Sequence, residues 1–177
     1  MSNISIILDL ETLSRSPSAL ITEIGAVAFH RDSFAIEDEL DLTPDFFLQL
    51  ATGRHVCPET IAFHRQGGTL PRIHPSSSAT MFADLHLLTD FFHRHRPHRV
   101  WIQGPDFDRP ILEHFCQQYG SVLPWDFWRT RDTRTTWDTA FPGQKHAPRP
   151  HHALPDCHAT LTDLKQSLHN LGRPQSA

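Results

Sequence analysis

The feature that most constrains this chain is its first apolar run. Ile4-Ser-Ile-Ile-Leu8 is rich in β-branched residues and leads directly into Asp9-Leu10-Glu11. A short apolar run of this kind reads as a buried strand. The two-residue period of a strand then puts Asp9 and Glu11 on one face and sends Leu10 to the other, into the core. Two converging carboxylates at the end of a central strand are costly to bury unless a cation lies between them. Closely spaced acids also occur at Glu37-Asp38-Glu39 and at Asp106-Phe107-Asp108, so the pattern by itself leaves a solvated strand end open.

The rest of the chain supplies layers to cover such a strand. Ile21–Phe29 reads as a second strand, with Gly25 allowing a close backbone approach. Ser33–Leu42 reads as a more polar edge strand, and Val100–Ile102 as a brief apolar one. Pro58 opens a short helix over Glu59–Gln66 that Gly67-Gly68 closes. Ser76-Ser77-Ser78 offers N-caps for a helix in which Met81, Leu85, Leu88 and Phe92 share a face. A further helix is expected with Pro110 in its first turn, Ile111, Leu112 and Phe115 inward, and Gly120 at its end. Gly143–Pro150 reads as a loop. It leads to a last helix striped by Leu161, Leu164, Leu168 and Leu171 and stopped by Gly172. Early strands followed by interleaved helices define an α/β class with a mixed sheet.

Length and composition narrow the options further. The chain has 177 residues, about one domain, expected over residues 1–172 with a frayed tail at 173–177. No run approaches the ~18 apolar residues of a membrane helix; Ala19–Phe29 is interrupted by Thr22, Glu23 and Gly25. Met1-Ser2-Asn3-Ile4 lacks the basic-then-apolar pattern of a secretion signal. The three cysteines, 57, 116 and 157, cannot all pair with one another and suit a reducing, cytoplasmic setting. A net charge of −4 excludes a basic packaging protein.

Further acids fall where α/β sheets build sites. Asp106 and Asp108 lie between a short strand and a helix, where helix capping is the competing role. Asp156 opens the last helix, where the helix dipole also suits an acid. His151 precedes Asp156 by five residues, which on one helix would set them about 140° apart. It must therefore act from the preceding loop, where Pro148 and Pro150 disfavour helix. A loop histidine suits a general base near neutral pH.

Taken together, these segments resemble the DEDDh 3′–5′ exonucleases of the ribonuclease T-like group. Asp9-Leu-Glu-Thr12 is similar to the first motif of that family, Phe107-Asp108 to the second, and His151-His-Ala-Leu-Pro-Asp156 to the third. Arg131–Thr135 and Thr60–Gln66 resemble segments of the smaller phage-type exonucleases near exodeoxyribonuclease VIII. Pro155, Cys157 and the Phe63-His64 pair depart from the usual pattern. The resemblance implies a ribonuclease H-like mixed sheet of about five strands flanked by helices, with the Asp9–Glu11 strand central. It makes Asp9, Glu11, Asp108 and Asp156 the ligands of two Mg²⁺ or Mn²⁺ ions, with His151 as base. It selects Asp108 over Asp106, because the acid follows the phenylalanine.

The implied reaction releases nucleoside 5′-monophosphates from the 3′ end of RNA or DNA. Single-stranded nucleic acid or a 3′ overhang would be the partner, no membrane is involved, and a homodimer is an allowed assembly. Arg129, Arg131, Arg134, Lys145 and Arg149 are candidate phosphate contacts. Two other readings stand beside this one. The first is a catalytically silent nucleic-acid-binding relative. The second is a metal-binding module that uses His151, His152, Cys157 and His158 for zinc, although their spacing matches no common finger.

Overall fold

The computed structural model describes residues 2–69 and 81–172. The capping serines 76–78 and the tail 173–177 lie outside the described residues. Among the described residues, five strands form one mixed sheet: β1 (Ile4–Thr12), β2 (Ile21–His30), β3 (Ile36–Leu42), β4 (Val100–Ile102) and β5 (Thr130–Asp132). Their order is β3-β2-β1-β4-β5, so the strand that carries Asp9 and Glu11 is central. β2 pairs antiparallel with both β1 and β3, whereas β1–β4 and β4–β5 are parallel. Among the described residues, six α-helices accompany the sheet: α1 (Phe46–Ala51), α2 (Pro58–Gly67), α3 (Met81–His95), α4 (Pro105–Gln118), α5 (Thr133–Ala140) and α6 (Ala153–Asn170).

β1 is covered on both faces, and its two residue sets enter different cores. Ile6, Leu8 and Leu10 pack with Phe91 and Phe92 of α3 and Phe115 of α4. Ile7 faces the other way, with Val27 and Phe29 of β2 against Cys157, Leu161 and Leu164 of α6. Continuing the two-residue period, Asp9 and Glu11 share the α6 face. The leucine stripe therefore pins α6 beneath the acids, and Gly172, at φ 63°, follows its C-cap as expected.

The notch at Gly25 sets how closely α6 approaches the sheet. A Cβ on Gly25 would overlap the Ala153 carbonyl and fall within 2.6 Å of its oxygen. Only glycine lets the first turn of α6 rest directly on β2 beside Asp9, the cross-strand partner of Gly25.

Five elements differ from the sequence expectations. Pro110 is internal to α4, which starts at Pro105. Asp106 and Asp108 consequently sit in the first turn of α4 rather than in a loop before it. As the sixth residue of α4, Pro110 removes one intrahelical bond, the one its N–H would have made to the Asp106 carbonyl. The strand expected from Ser33 begins at Ile36 instead. Residues 33–35 turn the hairpin, with Phe34 at φ 59° and stacked on Phe29 at 5.7 Å. α1 is an additional helix, capped by Asp45 accepting from the Leu48 N–H at 2.8 Å. It inverts the usual pattern: Gln49 is buried and bonds both Ile21 backbone groups, whereas Phe47 and Leu50 are exposed. β5 and α5 are also additional, since neither Thr-Arg-Asp nor a threonine-rich turn carries an apolar signature in the sequence.

Candidate active site

Asp9, Glu11, Asp108, Asp156 and His151 line one cavity of about 540 Å³ at the C-terminal end of β1. Each reaches it by a different local device. Asp9 and Glu11 come from strand alternation. Asp108 comes from α4, because β4 ends at Ile102 and leaves the central strand short of a ladder partner. Even-numbered N–H groups of β1 point toward β4, as the Ile6 N–H does to the Arg99 carbonyl at 2.9 Å. Past the end of β4, Asp108 Oδ1 replaces that carbonyl and accepts the Leu10 N–H at 3.1 Å. Asp108 is buried, while Asp106 is exposed and does not line the cavity.

Asp156 lies in the first turn of α6, and His151 stands just ahead of that helix in a left-handed backbone conformation, φ 56°. That conformation is unfavourable for a side chain by roughly 1 kcal/mol or more. It turns the His151 ring into the cavity mouth, edge-on to Phe63 of α2 at 5.5 Å. Phe63 is 54 % exposed, so its ring is available to a ligand as well. His152 turns away: its Nδ1 lies 3.1 Å from Glu23 Oε1, and Glu23 Oε2 accepts the Ala153 N–H at 2.9 Å. Glu23 thus caps α6 from the neighbouring strand, directly across from Glu11. The sequence alone did not reveal this acid. Its role becomes visible only once the β1–β2 register is known.

The electrostatics show what the cavity is suited to hold. Burial raises the Asp9 pKa well above the ordinary carboxylate range, and Asp108, Glu11 and Asp156 raise it further. Glu11 is pushed up to about 8 by burial, then by Asp156, Glu23 and Asp108. Burial also raises Asp108, against the Leu10 N–H, and raises Asp156, against Arg149 and His151. Asp156 Oδ1 is buried with no hydrogen-bond partner. Ligand atoms of Glu11, His151 and Asp156 lie within 4.8 Å of one another. Hard oxygen donors, crowded negative charge and an unpartnered carboxylate oxygen fit a divalent cation of the Mg²⁺ or Mn²⁺ type.

The candidate phosphate contacts separate into two groups. Arg134 and Arg149 line the cavity, joined by Arg15, which the motifs did not single out. Arg149 is tied to α6 by Asp163 at 2.6 Å, and the Arg134 guanidinium packs over Gly104. Arg129 instead bonds the Pro97 carbonyl at 2.6 Å, Arg131 lies beside a different cavity, and Lys145 is exposed on its loop. The histidine–cysteine zinc arrangement is not assembled. Cys157 is buried against Ile7, His158 pairs with Glu39 at 3.1 Å, and His152 is held by Glu23.

A model of the Rv2179c-like 3′–5′ exoribonuclease domain family matches residues 4–167. No curated protein matches the chain in sequence. Among solved structures, exonuclease I is similar with a TM-score of 0.72 at 13 % identity, covering 98 % of this chain and 42 % of that one. The E. coli exonuclease I complex with a dT13 oligonucleotide gives a TM-score of 0.70 at 13 % identity, covering 97 % and 42 %. The nuclease domain of 3′hExo, a DEDDh family member bound to rAMP, gives 0.63 at 15 % identity, covering 97 % of this chain and 94 % of that one. The chain therefore spans less than half of exonuclease I but nearly the whole 3′hExo nuclease domain. At these identities the likeness concerns the fold.

Proposed function

This chain belongs to the Rv2179c-like 3′–5′ exoribonuclease domain family, and from that premise we propose that it trims RNA from the 3′ end, releasing nucleoside 5′-monophosphates. The observation that carries the reading is the convergence of four acids and one loop histidine in a single cavity. Asp9, Glu11, Asp108 and Asp156 would hold two divalent ions, Mg²⁺ or Mn²⁺. Such ions, when bound, acidify the attacking water and neutralise charge on the scissile phosphate and the leaving 3′ oxygen.

The remaining work falls to side chains of the chain itself. His151 accepts the proton of the attacking water at an imidazole nitrogen. Glu23 and Gly25 hold the first turn of α6 against β2, which fixes Asp156 and the loop before it relative to Asp9 and Glu11. Phe63 offers a face for stacking the terminal base, and Arg15, Arg134 and Arg149 offer guanidinium groups to flanking phosphates.

The substrate would be a single strand or a 3′ overhang, because a paired terminus must fray before its last phosphodiester can enter such a cavity. The three free thiols suit a cytoplasmic setting, and a homodimer of one-domain chains is the proposed assembly. No described helix is long and apolar enough to cross a membrane.

The test uses 5′-end-labelled RNA and DNA oligonucleotides side by side with Mg²⁺, Mn²⁺ or chelator. A ladder shortening from the 3′ end, dependent on the ion and faster on RNA, is the expected result. Metal-dependent binding without shortening would leave the silent relative as the correct reading. Internal cuts would make the enzyme an endonuclease.

A further inference from the structure

A second cavity, also of about 540 Å³, lies toward the other end of β1, lined by Ser5 where the first is lined by Asp9. Four residues of extended strand separate them, roughly 13 Å. Ser5, Ile7 and Asp9 share the face covered by α6, and that helix joins the two places. Its first turn carries Asp156, and further along it Leu164 and Leu168 line the second cavity. The apolar floor is Trp101 and Leu168, both partly exposed, resting on the buried stacked pair Phe29 and Phe34 and on Leu164. The rim carries Arg31, Arg99, Arg131 and His98.

This concentration of positive charge is unusual in a chain of net charge −4. Among the described residues Arg31, Arg99 and Arg131 have no carboxylate partner; Arg99 donates to the His98 carbonyl at 3.0 Å and Arg131 to the Trp128 and Thr130 carbonyls at 2.7 Å, which leaves their charge uncompensated. The acid on the lining, Asp132, is already engaged by the N–H groups of Gly104 and Arg134. Burial lowers the proton affinity of Arg99, and Arg131, Arg129 and Arg31 lower it further; His98 is lowered by burial and by the same arginines together with Arg99. Half-buried like charges destabilise a fold unless an anion joins them.

We propose that this second cavity is a nucleotide site, in which Arg31, Arg99 and Arg131 hold a phosphate and the apolar floor takes the base. Guanidinium groups match phosphate oxygens two at a time, and a cavity of this size suits a compact ligand. A bare polyanion would leave Trp101 and Leu168 uncovered, and an uncharged aromatic would leave the three guanidinium charges without a counter-ion. The choice of a nucleotide over other aromatic phosphates rests on the exonuclease reading. The nucleotide has two sources: free nucleoside 5′-monophosphate, the product of the main site, or a 5′-ward nucleotide of the chain being trimmed.

The experiment titrates AMP into Asp9→Asn protein under chelator, following isotope-labelled arginine side chains by NMR. The expected result is a saturable shift of Arg31, Arg99 and Arg131 signals, with Arg134 and Arg149 unmoved, and at least tenfold weaker binding in Arg31→Ala/Arg99→Ala. This readout needs no catalysis, so it stands or falls apart from the exonuclease assignment. Hydrolysis by the double variant, with Asp9 restored, then separates the sources. A several-fold higher KM for a 12-mer with an unchanged dinucleotide rate assigns the site to the substrate strand. Unchanged kinetics on both assigns it to free nucleotide. If AMP moves none of the three arginines up to millimolar concentration, the proposal is overturned. Loss of self-association in the double variant without any nucleotide binding would equally overturn it, by making the patch an interface between copies.

Discussion

His151 and His152 are adjacent, yet the structure gives them different surroundings, and that makes them a matched pair for testing mechanism. His151 faces the cavity beside Phe63, whereas His152 is clipped to Glu23. His151→Ala is expected to lower kcat by roughly 10²–10⁴-fold, the usual range for a lost general base, with Mn²⁺ binding retained. His152→Ala should cost much less, since Glu23 keeps its bond from the Ala153 N–H. Single-turnover rates at saturating Mn²⁺ check this, and an inactive His152→Ala beside a normal His151→Ala would reverse the assignment. The two acids of α4 form a second pair. Asp108→Asn should abolish activity while the fold survives, because the amide oxygen can still accept the Leu10 N–H. Asp106→Asn should leave the rate within a few-fold of the parent, since that side chain is exposed.

At the scale of elements, the site depends on how closely the first turn of α6 sits on β2. Gly25→Ala would drive a methyl into the Ala153 backbone, which cannot yield as a flexible side chain would. The expected loss is roughly 1–3 kcal/mol, as for overpacking elsewhere. A fall in kcat larger than the fall in stability should accompany it, because Asp156 and His151 shift together. Chemical denaturation and kinetics on one preparation decide the matter; a variant as stable and as fast as the parent would show that the notch does not position the helix. These elements also mark what the sequence could disclose. That Asp9, Glu11, Asp108, His151 and Asp156 line one cavity was foreseeable because each lies in a short motif that resembles one of the family's. Glu23 was not, because its role is set by cross-strand register. β5 escaped because three polar residues gain strand geometry only from β4 beside them, and α1 because it buries a glutamine and exposes its apolar residues. The start of α4 was misplaced because Pro105 and Pro110 both satisfy the same first-turn rule.

Over the whole molecule, opposite charges collect at opposite ends of one sheet face, carboxylates beyond Asp9 and arginines beyond Ser5, with α6 spanning the interval. The acidic end makes stability depend on pH in a direction opposite to ordinary acid denaturation. Glu11 in the folded, metal-free protein holds its proton up to about 8, against 4.5 for the free side chain. Between those values the folded state binds more protons than the unfolded one, so stability falls as pH rises through the window. Below about pH 4.5 this group contributes no penalty, and above about pH 8 the penalty is complete, on the order of a few kcal/mol at 1.36 kcal/mol per pH unit. Chelated protein should therefore melt at lower temperature at pH 8 than at pH 6, and Glu11→Gln should raise the pH 8 value while leaving pH 5 nearly unchanged. Mg²⁺ or Mn²⁺ added to the parent at pH 8 should restore the melting temperature, because an ion that binds only the folded state stabilises it by mass action. The same addition to Glu11→Gln should do markedly less. Melting curves across pH 5–9, with chelator and with each ion, test all three statements. A metal-free parent whose melting temperature climbs steadily from pH 5 to pH 8 would mean that the acids are relieved by something other than a cation.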